Sequence, residues 1–302
     1  MTQLTSNSEV VVRDASAPSL ASDVFQLLKP RITVMVAIVA GIGYLVAAKS
    51  VENVSWTVLI ATMIGTSLSC MGATIFNQII ERDIDALMPR TQNRPLATRR
   101  ISPKHAFVLG TTLAIIGVGI LWPIAGWLPA ALSAFTILSY VLIYTPMKQA
   151  TSLATIVGAA PGALPPVIGY TAASGSIDLT ITVMFAIMFL WQIPHFLAIA
   201  WMYRDDYGKA SIPVLPVLDP TGASTFRQML IGCMALLPLG LMPTVLGMAS
   251  IVYFIGALIA GAFFLATAIA LVMKPSTARA RTVFFASLVY LPVVFALMVI
   301  DG

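Results

Sequence analysis

Charge is scarce in this chain. Of 302 residues only 10% are charged, while 59% are hydrophobic and the mean hydropathy is +0.93. Soluble domains carry about 25% charged residues, so a soluble fold of this size could not hide so much apolar surface. Short segments of alternating apolar and polar residues are also missing, which argues against a membrane barrel. Cysteine is limited to Cys70 and Cys233. Both fall inside apolar runs, form no metal pair with readable spacing, and are expected to pack as small buried residues. The first 30 residues lack both the basic start and apolar core of a secretory signal and the Arg-rich, acid-poor pattern of a transit peptide. Residues 1–26 are expected to be a disordered cytoplasmic tail, and residues 27–302 one transmembrane domain.

Long apolar runs are what the chain does have. Nine stretches have the roughly 17–25 residues that a membrane helix needs. They are Ile32–Ala48, Val54–Phe76, Ala106–Trp122, Ile124–Tyr144, Leu153–Thr171, Ile181–Met202, Met229–Leu246, Ala249–Met273 and Val283–Ile300. The third and fourth meet at Pro123 as a tight hairpin. The fold class is therefore an all-α polytopic membrane protein, a bundle of nine helices. With the N-terminus in the cytoplasm, sixteen of the seventeen basic residues fall on the inner side and only Lys49 falls outside. This is the asymmetry of the positive-inside rule. It also accounts for the net charge of +5 without a nucleic-acid partner.

Two inner connections are long, Asn77–His105 and Tyr203–Gln228, and both carry acids as well as bases. The fifth run, ATIVGAAPGALPPVIGY, is rich in Gly, Ala and Pro. Small residues permit close packing in a bilayer. Pro161, Pro165 and Pro166 should kink or break this helix, which belongs inside the bundle.

The first inner connection begins NQIIERDIDALMPRTQNRPL. Asn77, Glu81 and Asp85 are spaced by four. If the second helix continues past Phe76, they form one stripe. Such oxygen ligands suit Mg²⁺, which binds one or two carboxylates, keeps waters and is completed by substrate phosphates. Arg82 is available to pair with either carboxylate, and Asp83 points elsewhere. Arg90 and Arg94 follow, and a guanidinium grips phosphate in a bidentate fork. Pro89 and Pro95 let the loop fold back. Carboxylates followed by arginines describe a diphosphate site. The competing account is an ordinary inner loop with acids for balance.

A second cluster lies in WQIPHFLAIAWMYRDDYGKASIPVLP. Gln192, His195, Ile199, Met202 and Asp206 follow a helical stripe, so His195 and Asp206 are expected to share a face, with Asp205 turned away. A histidine two turns inside a membrane edge is a functional candidate. It could ligate a metal or haem iron, carry a proton, or simply pack with a hydrogen bond. Asp205 and Asp206 could be ligands or a solvated helix end. A third site is YTPMK, with Tyr144 and Lys148 as candidate phosphate contacts; Lys148 could equally serve topology alone.

These motifs together resemble the UbiA-type intramembrane prenyltransferases, and within them the haem-farnesylating (protoheme IX farnesyltransferase) branch. The resemblance runs from about Leu27 to the end. It rests on LLKPRITVMV, ERDIDALMPRTQNRPL, YTPMK, PGALPPVIGY, WQIPHFLAIAWMYRDDY and IPVLP. It implies nine helices around a central cavity that opens sideways to lipid, and Mg²⁺-dependent ionisation of farnesyl diphosphate; the lack of a transit-peptide pattern favours a bacterial inner membrane. Asn77, Glu81 and Asp85 match the first metal motif. Arg90, Arg94 and Lys148 match diphosphate-contacting positions. The chain departs from relatives that carry a second Asp-x-x-x-Asp motif: Met202 stands at the earlier acid, and only Asp205 and Asp206 follow.

The resemblance further implies attack by the 2-vinyl group of haem b on the farnesyl cation, then capture by water. Haem A synthase or a terminal oxidase would receive the product. Two rivals stand beside this expectation. A prenyltransferase acting on a quinone precursor or chlorophyllide shares the first motif. A secondary transporter shares the broken helices and intramembrane polar residues, but not a carboxylate stripe followed by arginines.

Overall fold

The computed structural model describes residues 18–50 and 54–301. Among these residues, nine helices are long and apolar enough to cross a membrane. Helix α1 (Leu20–Leu28) and helix α2 (Pro30–Ser50) form the first span, bent at Lys29, whose φ is 47°. Helix α3 (Trp56–Asp85) follows, then α4 (Pro103–Ala125). The fourth span is α5 (Trp127–Leu138), a π-turn over Ser139–Tyr144 and the single turn α6 (Thr145–Met147). The fifth is split into α7 (Ala154–Gly162) and α8 (Pro165–Ser174), and the sixth is α9 (Leu179–Met202). Two short helices, α10 (Arg204–Lys209) and α11 (Leu215–Leu218), lead to α12 (Ala223–Val245), α13 (Ile251–Met273) and α14 (Thr277–Asp301).

Local signals explain several boundaries. Ser19, Ser55, Ser102, Asp178 and Ser250 each accept a backbone N–H at a helix start, satisfying one of the donors left free there. Pro165 opens α8, where a missing N–H costs nothing. The proline-rich fifth span therefore breaks, as its sequence requires, over Ala163 and Leu164. Residues Pro165 to Thr171 are all buried.

Three expectations need correction. Residues 1–17 lie outside the described residues, but the rest of the expected tail is ordered as α1. It is held because Leu27 is fully buried against Ile75, Leu96, Ile101 and Ala106. Asp23 also accepts a two-pronged ion pair from Arg100. The hairpin between the third and fourth spans does not turn at Pro123, which α4 carries in its last turn. It turns at Gly126, whose φ of 109° a side chain would resist. The first long connection also starts later than expected, because α3 runs to Asp85.

Packing follows the small residues. Helices α2 and α8 cross with backbones touching: a Cβ on Gly43 would collide with the Pro166 carbonyl, and one on Gly169 with the Ala40 carbonyl. One large core unites α2, α8, α9, α12, α13 and α14. On α4, α13 and α14, Ile115, Ile259, Phe263 and Val289 are more than half exposed, a surface suited to lipid. The two charged connections pack on each other through Met88, Tyr207, Ala210 and Ile212.

Candidate active site

Helix α3 presents Asn77, Glu81 and Asp85 on one face, and all three are buried. Each has a partner from elsewhere. The Asn77 amide donates to Thr145 Oγ1 at 3.2 Å. Lys148 Nζ donates to Glu81 Oε1 at 2.9 Å, and Arg94 Nη1 to Asp85 Oδ2 at 2.6 Å. Both cations keep about a fifth of their side-chain surface open. Burial works against the Lys148 ammonium, but Tyr144 and Glu81 outweigh it and hold its pKa above the usual lysine value. Lys148 therefore stays charged at neutral pH. The loop returns to the helix end because Thr91 donates to the Asp85 carbonyl at 2.8 Å.

The π-turn sets the opposite wall. Thr145 donates to the Tyr140 carbonyl five residues back while accepting from Asn77. The turn aims Tyr140 and Tyr144 together, ring centres 5.0 Å apart, into a cavity of about 350 Å³. Lys148 and Tyr207 lie at the charged end of this cavity. Thr66, Ser133 and Ile168 lie at the far end.

Asp85 Oδ1 is buried and has no hydrogen-bond partner. A buried carboxylate oxygen without a partner is costly. Beside a second carboxylate and an amide, it suits a hard cation that prefers oxygen. Asn77, Glu81 and Asp85 thus fit Mg²⁺ as a set. Among the described residues, no group of three His, Cys, Asp or Glu side chains is close enough to hold a metal, so neither Asp205 nor Asp206 completes the pair formed by Glu81 and Asp85.

The second cluster is taken apart by the break at Tyr203. Helix α9 ends at Met202 and a new helix starts at Arg204, so His195 and Asp206 do not share a helical face. The Asp205 side chain is 87% exposed and lies 3.8 Å from Arg204; Asp206 is half-buried on the same short helix. His195 does not line the cavity, although Gln192, Phe196 and Ile199 do. It is buried against Trp191 and Phe284 and meets Ser287 Oγ through Nδ1 at 2.7 Å. Ser287 donates its own hydrogen to the Phe284 carbonyl. The network therefore assigns the histidine proton to Nδ1.

Arg90 is exposed, with its guanidinium 4.9 Å from the centre of the Tyr203 ring and 5.9 Å from that of Tyr207. Arg82 pairs with its neighbour Asp83, not with Glu81 or Asp85. Sequence reasoning missed Tyr140 and Thr145. The four-residue spacing of Tyr140 from Tyr144 was a readable signal; the role of Thr145 was not, because it depends on the π-turn.

The family model for the UbiA prenyltransferase family matches residues 34–289. A protoheme IX farnesyltransferase of Solibacter usitatus is 43% identical over 286 residues, covering 92% of this chain and 98% of that protein. One from Koribacter versatilis is 40% identical, covering 94% of each. Among solved structures, that of a digeranylgeranylglyceryl phosphate synthase superposes with a TM-score of 0.78 at 16% identity, covering 93% of this chain and 98% of that one. A UbiA homolog from Archaeoglobus fulgidus bound to GPP and Mg²⁺ gives 0.60 at 14% identity, covering 92% and 99%. The chain belongs to the UbiA prenyltransferase family.

Proposed function

We propose that this chain transfers a farnesyl group from farnesyl diphosphate to the 2-vinyl group of haem b, with addition of water, and releases diphosphate. One observation carries the reading: Lys148, at one end of a largely apolar cavity, pairs with the buried Glu81, and one turn further along the same helix the buried Asp85 pairs with Arg94. The acceptor comes from the relatives, which cover nearly the whole chain under one activity.

Asn77, Glu81 and Asp85 would hold Mg²⁺. Bound there, the ion would neutralise charge building on the leaving diphosphate. Lys148 and Arg94 would turn from these carboxylates to the phosphate oxygens, with Arg90 as a second guanidinium from the same loop. The C1–oxygen bond breaks and its electron pair leaves with diphosphate. The allylic carbon is then flanked by tyrosine rings and apolar walls that keep water away. C1 bonds to the outer vinyl carbon of haem. The cation moves to the carbon beside the macrocycle, water adds there, and the proton passes to solvent. The charged end faces the cytoplasm of a bacterial inner membrane, and a haem A synthase or terminal oxidase takes the product.

The test is purified protein with haem b, farnesyl diphosphate and Mg²⁺, read by mass spectrometry. A haem that gains farnesyl plus water is expected. Haem recovered unchanged, while labelled substrate crosses proteoliposomes, would replace the enzyme with a transporter. Competition with a quinone precursor separates the acceptors.

A further inference from the structure

The cavity has a measurable depth. Its α3 wall is Thr66, Ser69, Cys70, Ala73 and Thr74, on the face that continues into Asn77, Glu81 and Asp85. At about 1.5 Å per residue, Ser69 lies about 18 Å from Glu81 along this helix. The fourth span reaches a comparable depth, with Ser133 about 22 Å from Lys148. At this level the two walls join: Ser133 Oγ donates to Ser69 Oγ at 2.8 Å. Just beyond, Leu121, Ala130 and Ile168 pack into a cluster with almost no exposure. The hydroxyls of Thr66, Ser69, Ser133 and Thr136 line this end, and Thr66 Oγ1 is buried without a partner. The end of the cavity is polar and backed by packed side chains.

We infer that the Ser69–Ser133 bridge is the stop that sets the length of the prenyl chain. This rests on the proposed use of a prenyl diphosphate. An extended prenyl tail matches that depth, so the tail occupies the depth and the acceptor stays near the charged end. Diphosphate between Lys148 and Arg94 takes the first few ångströms. With carbon–carbon bonds of about 1.5 Å laid in a zigzag, a farnesyl chain spans about 14 Å. It ends at the bridge. One more isoprene unit would drive apolar carbons into the hydroxyls and against Ile168, and one fewer would leave the end unfilled.

The test compares geranyl, farnesyl and geranylgeranyl diphosphates as donors to haem b. Ser133→Leu raises the stop, and Thr136→Leu raises it by one further turn without touching the bridge. Each is expected to lower kcat/KM for farnesyl at least about tenfold against geranyl. Ile168→Ala is expected to raise use of the geranylgeranyl donor. Variants that turn over with unchanged donor ratios would overturn the inference, as would equal losses for all three donors. Stabilisation of each variant against heat by the three diphosphates, with no acceptor present, gives a second readout. It stands even where haem proves to be the wrong acceptor, so failure of the activity and failure of the stop remain distinguishable.

Discussion

Asp85 is the side chain on which the proposed metal role can be tested most directly. One of its oxygens pairs with Arg94 and the other has no partner. Replacing it with Ala should cut turnover at least about 10²-fold, the usual cost of losing one group that stabilises developing charge. The protein should remain in the membrane fraction, and product formation by membranes containing Asp85→Ala checks this. Near-normal turnover would remove the metal role. Asn77, Glu81 and Asp85 were legible because a period of four survives without any tertiary information. The pairings of Glu81 with Lys148 and Asp85 with Arg94 were not. They join residues 67 and 9 positions apart, and only the fold decides which cation reaches which acid. His195 misled for a related reason. Its position on α9 was readable, but the face it presents depends on where α14 packs.

Elements show why some boundaries were readable and others hidden. Proline and capping residues act through local backbone chemistry, so the break in the fifth span was foreseeable. The π-turn has no such marker, and α1 owes its order to distant partners, Ile75 and Arg100. The crossing of α2 and α8 gives the element-scale prediction. Gly169→Leu must push a side chain against the Ala40 carbonyl. Overpacking costs about 1–3 kcal/mol, and rigid backbone in the way favours the upper end. Thermal unfolding in detergent should show a clear loss of stability, whereas Gly119→Leu, where nothing lies near, should unfold like the parent.

At the scale of the whole molecule, the distribution of the bases predicts which end faces the cytoplasm. If the nine spans found among the described residues alternate, single cysteines placed in a background without Cys70 and Cys233 report their sidedness. Lys209→Cys should react with an impermeant maleimide only in inside-out vesicles, and Lys49→Cys only from the outside of intact cells. The reverse pattern would invert the proposed orientation and move the diphosphate site to the other side of the membrane. The number of spans was plain from hydropathy because a bilayer demands length. The cavity between them was expected only through the family resemblance, because its walls come from α2, α3, the fourth and fifth spans and α9, each contributing a face that reads only as small or apolar.

The two ion pairs, Lys148 with Glu81 and Arg94 with Asp85, also bear on timing. In the resting protein each of these two acids neutralises a base in a poorly solvated setting, so Lys148 and Arg94 do not wait for substrate as bare charges. On the proposed function, the same acids would stand ready when diphosphate remains behind after transfer. Lys148 and Arg94 would turn back to their own chain and the hold on the product would weaken. The protein would then compete with its own product, exchanging some tightness toward the incoming donor for quick departure of the by-product.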